Sequence, residues 1–151
     1  MKAGLPKSQK GAVAIEFALV FVVFFAVFYG LVSYSLPFVL MQSFNEATSE
    51  AVRRSVAIDP TTPSYATVLV TTANATLTQQ LSWVPPPLNL VVGVDTSAVY
   101  DPTKGTNGTL TVTVKYPVSK LNQVIPFLVL PGVGAVPNLP PYLTASSSLQ
   151  F

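Results

Sequence analysis

The chain has 151 residues; half are hydrophobic, 9% are charged, and the formal net charge is +2. It has neither His nor Cys, which removes the commonest general base, the commonest metal ligand, disulfides and thiolate sites. The only acids are Glu16, Glu46, Glu50, Asp59, Asp95 and Asp101, so the composition points away from an enzyme and toward a membrane-anchored chain with one small domain.

The charge is unevenly placed. Lys2, Lys7 and Lys10 all precede Gly11, and beyond it five basic residues face six acidic ones, which leaves no basic surface for nucleic acid. The three lysines instead read as a cytoplasmic anchor under the positive-inside rule. Gly4, Pro6 and Gly11 oppose helix in this leader. From Ala12 to Val32 the only charged side chain is Glu16. At about 1.5 Å per residue, roughly 20 such residues cross a hydrocarbon core of about 30 Å. A carboxylate there costs about 2.5–3.5 kcal/mol at a helix centre, so Glu16 is a functional candidate by default. A secretory signal would have a shorter apolar stretch, about 7–15 residues. Here apolar character resumes after Ser33-Tyr34-Ser35 and Pro37 with Phe38-Val39-Leu40-Met41, so the helix is expected to continue, kinked near Pro37.

Beyond the kink the pattern is amphipathic. Phe44, Ala47, Ala51 and Ser55 share a stripe, and Glu46, Glu50, Arg53 and Arg54 take the solvated side. Asp59-Pro60 is expected to end this helix after about 45 residues. Thr62-Pro63 reads as a helix start, and Ala66, Leu69, Val70, Ala73, Leu77, Leu81 and Val84 recur at helical spacing until Pro85-Pro86-Pro87 stops them. The rest reads as β-structure. Leu88–Val94 is an apolar, β-branched run, and residues 101–108 are turn chemistry. Thr109–Tyr116 alternates strictly, with Leu110, Val112, Val114 and Tyr116 on one face. A long apolar loop, Pro117–Pro141, is broken at Pro131-Gly132; loops of this length are usually functional or packed on a partner. Tyr142–Phe151 is a closing strand.

The expected fold is therefore α+β: a long transmembrane helix continuing into a small domain with a second helix and a three-stranded antiparallel sheet. The expected divisions are a leader over 1–11, the transmembrane and amphipathic helix over 12–58, and the domain over 59–151. No cofactor and no metal are expected. Asp95 and Asp101 are conceivable calcium ligands, but their spacing matches no established loop. Asn74-Ala75-Thr76 and Asn107-Gly108-Thr109 match the glycosylation sequon, a pattern short enough to arise by chance.

The segment KGAVAIEFALV (residues 10–20) resembles the processing site of type IV prepilins: a basic leader ending in Gly, then an apolar helix with Glu at its fifth position. With NEATSEAVRRSV, VTVKYPV, an apolar loop containing LPG and the closing LTASSSLQF, the chain looks like a TadE-like minor pilin of the tight-adherence (Flp) pilus. Major Flp pilins carry Glu-Tyr where this chain has Glu16-Phe17, and they lack a domain like residues 59–151. The resemblance implies cutting by a prepilin peptidase between Gly11 and Ala12, after Lys10, with Glu16 and Phe17 acting in assembly. It also implies an inner-membrane precursor whose domain is periplasmic and which passes into the extracellular pilus after processing. The implied partners are the peptidase, the major pilin and a second minor pilin through the N-terminal helix, the inner-membrane assembly platform, and membrane lipid. The other reading of the residues is an uncleaved, single-pass, membrane-anchored binding module of the cell envelope.

Overall fold

The computed structural model describes residues 8–130 and 134–151. The leader lysines Lys2 and Lys7 and the Pro131-Gly132 break lie outside the described residues.

Helix α1 runs from Ser8 to Ser55 without interruption. It begins before Gly11, where helix-breaking chemistry was expected to hold the chain open. One interior Gly costs only about 1 kcal/mol, less than a long apolar helix gains by propagating through it. Pro37 sits inside α1 and is buried. It supplies no N–H to the Ser33 carbonyl. Two hydroxyls bond back to the helix just before it, Ser33 Oγ to the Gly30 carbonyl (3.1 Å) and Ser35 Oγ to the Val32 carbonyl (2.7 Å). The helix ends at Ser55, ahead of Asp59-Pro60, and two turn bonds, Ala57 N–H to Arg54 and Ile58 N–H to Ser55, carry the chain off its end.

Helix α2 covers Tyr65–Gln80. Its start lies past Thr62-Pro63, at a left-handed Ser64 (φ 60°) whose carbonyl accepts from Thr67 and Val68. Strands β1 (Thr96–Asp101), β2 (Thr109–Pro117) and β5 (Tyr142–Gln150) form an antiparallel sheet in the order β1-β2-β5. Val114 pairs with Thr96 on one side and Ala145 on the other, which fixes the register of the whole sheet. Leu110, Val112, Val114 and Tyr116 are fully buried on the face that meets the helices. The other face is wet, with Thr113 and Ser146 hydroxyls 3.0 Å apart and Lys115 Nζ over the Tyr142 ring at 4.4 Å.

The apolar, β-branched run Leu88–Val94 is not a strand. Pro86–Leu88 forms a 3-10 turn, Asn89 is left-handed (φ 49°), and Gly93 has φ +91°. The Asp95 carboxylate then accepts the Val91 N–H (2.8 Å), and Thr96 Oγ1 accepts that of Gly93 (2.9 Å). Side-chain oxygens thus take the backbone donors a strand would have paired, and the first strand begins at Thr96.

The segment expected to be a long loop is also structured. Val118–Leu121 is one helical turn (α3), and β3 (Leu128–Leu130) pairs with β4 (Gly134–Val136) as a second, two-stranded sheet.

The core lies between α1, α2 and the first sheet. Leu40, Phe44, Ala47 and Ala51 of α1 and Ala73 and Leu77 of α2 cover the buried face of β2. Phe44 and Tyr116 meet with ring centroids 5.9 Å apart. The outer third of α1 is therefore part of the globular core, whereas the 18-residue apolar window of the same helix has none of its residues buried.

Candidate assembly site on the N-terminal helix

Among the described residues one helix is long and apolar enough to cross a membrane, and it is α1. Every residue from Gly11 to Phe25 is exposed, including Ile15 (72%) and Phe17 (69%). In water that display would be untenable; in lipid, or against sister helices, it is the expected surface. Glu16 lies within this exposed stretch.

The helix fixes the geometry of the candidate site. Lys10, Gly11 and Ala12 fall in its first turns, and Ala12 and Glu16 are separated by four residues, which puts them on one face about 6 Å apart along the axis. Among the described residues, nothing beyond the helix's own adjacent backbone lies within 4 Å of where a Gly11 side chain would begin, and Gly11 does not have the positive φ that favours glycine. The described residues therefore do not by themselves require Gly at this position. Phe17 opens an aromatic stripe that continues through Phe21, Phe25 and Tyr29, with successive ring centroids 6.1, 6.2 and 6.3 Å apart.

Residues match the family model of TadE-like proteins from 11 to 53. Over that segment the chain is similar to TadE-like proteins. The match opens at Gly11, includes Glu16 and Phe17, and ends at Arg53, two residues before α1 does. It supports a pilin role in a tight-adherence pilus. No curated protein and no solved structure matches the chain. The TadE-like segment is thus the exposed part of α1 together with the part that enters the core.

The rest of the chain locks onto this helix through polar contacts. Glu50 accepts from Arg53 (2.6 and 2.9 Å) and from Arg54 (2.7 Å), and Arg54 also reaches Gln79 on α2 (2.8 Å). The two guanidinium groups, that of Arg53 first, hold the Glu50 carboxyl down at about 2. Thr48 and Ser49 each meet Ser147 of β5 at 3.1 Å, and Trp83 Nε1 donates to Ser43 (2.8 Å). Two tyrosines tie the segment after α3 to α1: Tyr29 donates to the Pro126 carbonyl, and Tyr34 accepts the Asn138 N–H at 2.8 Å. Beside Tyr34 and Pro37, an apolar groove of about 470 Å³ runs between α1 and Leu139–Thr144.

Asp95 and Asp101 do not come together. Asp95 immediately precedes β1 and Asp101 is its last residue, and a strand of that length separates them by about 20 Å. Asp95 is buried and paired with Lys120 Nζ at 2.6 and 2.8 Å, while Asp101 accepts from the Thr103 N–H (2.9 Å) and hydroxyl (2.6 Å). Both carboxylates serve the fold. Asn107 likewise serves its turn, with its N–H on the Phe151 carbonyl (3.0 Å) and its carbonyl accepting from Tyr100 (2.8 Å). A side chain at Gly108 (φ +94°) would collide with that Tyr100 ring.

Sequence reasoning missed the β3–β4 pair and the tyrosine tethers. The signal was available: Leu128–Leu130 and Gly134–Val136 are short apolar runs flanking a Pro-Gly pair, which is a hairpin signature.

Proposed function

We propose that this chain is a minor pilin, or pseudopilin, of a tight-adherence pilus, made as a single-pass inner-membrane precursor with its leader in the cytoplasm and its domain in the periplasm. A prepilin peptidase cuts between Gly11 and Ala12. The mature subunit then takes part in priming, capping or building the filament through α1, alongside the major pilin and a second minor pilin on the inner-membrane platform. The role is structural rather than enzymatic. Its functional divisions are the leader 1–11, the helix 12–58 with a bend at Pro37, and the domain 59–151.

The observation that supports this most is a carboxylate one helical turn from Ala12, on an exposed apolar helix that matches the TadE-like model. Cutting after Gly11 would create an α-amino group on Ala12. Its ordinary pKa of about 7.7–8.0 keeps it mostly cationic at neutral pH. Glu16 is placed to offset that charge on its own helix or on a neighbour's. In a bundle the second pairing would set the axial register between subunits. Buried ion pairs are weak sources of stability but well attested as devices of register. Cutting would also remove the lysines that hold the helix in the membrane, which couples processing to extraction.

The test is the N-terminus and intact mass of the full chain expressed with and without a cognate prepilin peptidase. A start at Ala12 that depends on the peptidase is expected. A start at Met1 in both cases would favour the uncleaved membrane-anchored module.

A further inference from the structure

The β3–β4 hairpin sits at an unexpected height. The Tyr29 hydroxyl donates to the Pro126 carbonyl, and Leu128 shares an apolar crevice with Phe21, Val22, Phe25, Ala26 and Tyr29. Taking Val32 as the end of the span on the domain side, those helix positions lie roughly 5–16 Å inside it at 1.5 Å per residue. The helix has no slack to lift the hairpin clear. Ala12–Val32 is about 31 Å long, against a core of about 30 Å. Raising the helix until Phe21 left the bilayer would keep only about ten residues, half of what a span needs, in hydrocarbon.

The chemistry of the segment agrees with that height. From Leu121 to Phe151 the chain contains no Asp, Glu, Lys or Arg. Val129 is 77% exposed and Leu128 points into the crevice on α1. The three backbone pairs of the hairpin, Leu128 with Val136, Val129 with Ala135 and Leu130 with Gly134, satisfy its inner edges, and Pro126 and Pro137 at its flanks carry no N–H to strand in lipid. An outer edge left over is tolerable at the boundary between headgroups and acyl chains, where apolar elements embed about 5–10 Å deep.

We infer that β3 and β4 are a second membrane contact: the hairpin dips beside α1 into the leaflet on the domain side, with Val129 facing acyl chains. This rests on α1 being the span but not on its being cut or polymerised. The domain is thereby held against the bilayer surface at two places, and α1 carries a lipid-side contact that must be peeled away if the subunit ever leaves the membrane.

The absence of native cysteine permits a direct test. Single cysteines are placed in the full chain at exposed positions, Val129→Cys in the hairpin, Val23→Cys in the span but outside the crevice, and Val99→Cys on the outer sheet face, and each is spin-labelled in phosphatidylethanolamine–phosphatidylglycerol vesicles. Collision with oxygen, which partitions into lipid, is compared with collision with a water-soluble nickel chelate. The label at 129 should favour oxygen at least threefold more than the label at 99, approaching the label at 23. A label at 129 that behaves like the one at 99 would overturn the inference. So would protection from both reagents, which would mean that protein covers the hairpin. If the label at 23 is itself open to nickel, the span reading fails and the inference fails with it. A label at 23 that favours oxygen beside a water-exposed 129 would sink the hairpin contact alone.

Discussion

Glu16 is the residue on which the proposed mechanism turns. It stands in an exposed apolar helix, about one turn inside the start of the span, where a charge still costs free energy though less than the roughly 2.5–3.5 kcal/mol of a helix centre. The role proposed above separates two events that one residue might otherwise confuse. On that proposal, peptidase recognition would belong to Lys10, Gly11 and Ala12, and charge pairing in the assembled bundle to Glu16. Glu16→Ala is therefore expected to be cut at the normal rate but to be depleted about tenfold or more from sheared pili, as read by immunoblot of membrane and pilus fractions. Normal incorporation of the cut variant would refute the register role. Ala12 and Glu16 were readable as a pair because helical spacing follows from sequence alone. Gly11 stood out in the sequence as well, at the end of a basic leader, and the structure adds only that no described neighbour and no backbone angle demands it.

At the scale of elements, periodicity was readable where one face meets the core and unreadable where side chains compete for the backbone. The alternation over Thr109–Tyr116 became β2 with all four predicted inward residues fully buried, and the stripe Phe44, Ala47, Ala51 and Ser55 became the core face of α1. The run Leu88–Val94 failed because composition says nothing about Asp95 taking the Val91 donor, or about the left-handed Asn89. That same turn depends on Tyr116. Its hydroxyl donates to the buried Leu88 carbonyl at 2.7 Å, and burial, with the charge of Asp95 behind it, pushes its pKa up to about 12. Tyr116→Phe keeps the ring against Phe44 but leaves that carbonyl without a partner, a loss of about 1–3 kcal/mol. The expected result is a lower thermal midpoint for the domain in detergent, followed by circular dichroism. Tyr142→Phe, on the exposed face of β5, is the matched comparison and should change stability by less than about 0.5 kcal/mol.

At the scale of the whole molecule, the two ends of α1 answer to different solvents, and charge must decide which end faces which compartment. Lys2, Lys7 and Lys10 stand before the span. After Glu16 the next charged residue is Glu46 and the next cations are Arg53 and Arg54, both held by Glu50. Loop cations influence topology only within about 15–20 residues of a span. Taking Val32 as the end of the span, Arg53 and Arg54 fall just outside that window, and the bias is three cations to none. On the proposed orientation this asymmetry sends the domain across the membrane, a passage that the uncharged 121–151 segment does not oppose. Replacing all three lysines with Glu should therefore scramble insertion without touching the core. With alkaline phosphatase, which is active only after export, fused after Phe151, the wild-type leader is expected to give high activity and the triple variant a severalfold lower activity at equal expression. Equal activities would mean that the apolar helix orients itself without the lysines. In that case their removal at Gly11 would not weaken the hold of the membrane on α1, and the coupling of processing to extraction would lose its physical basis.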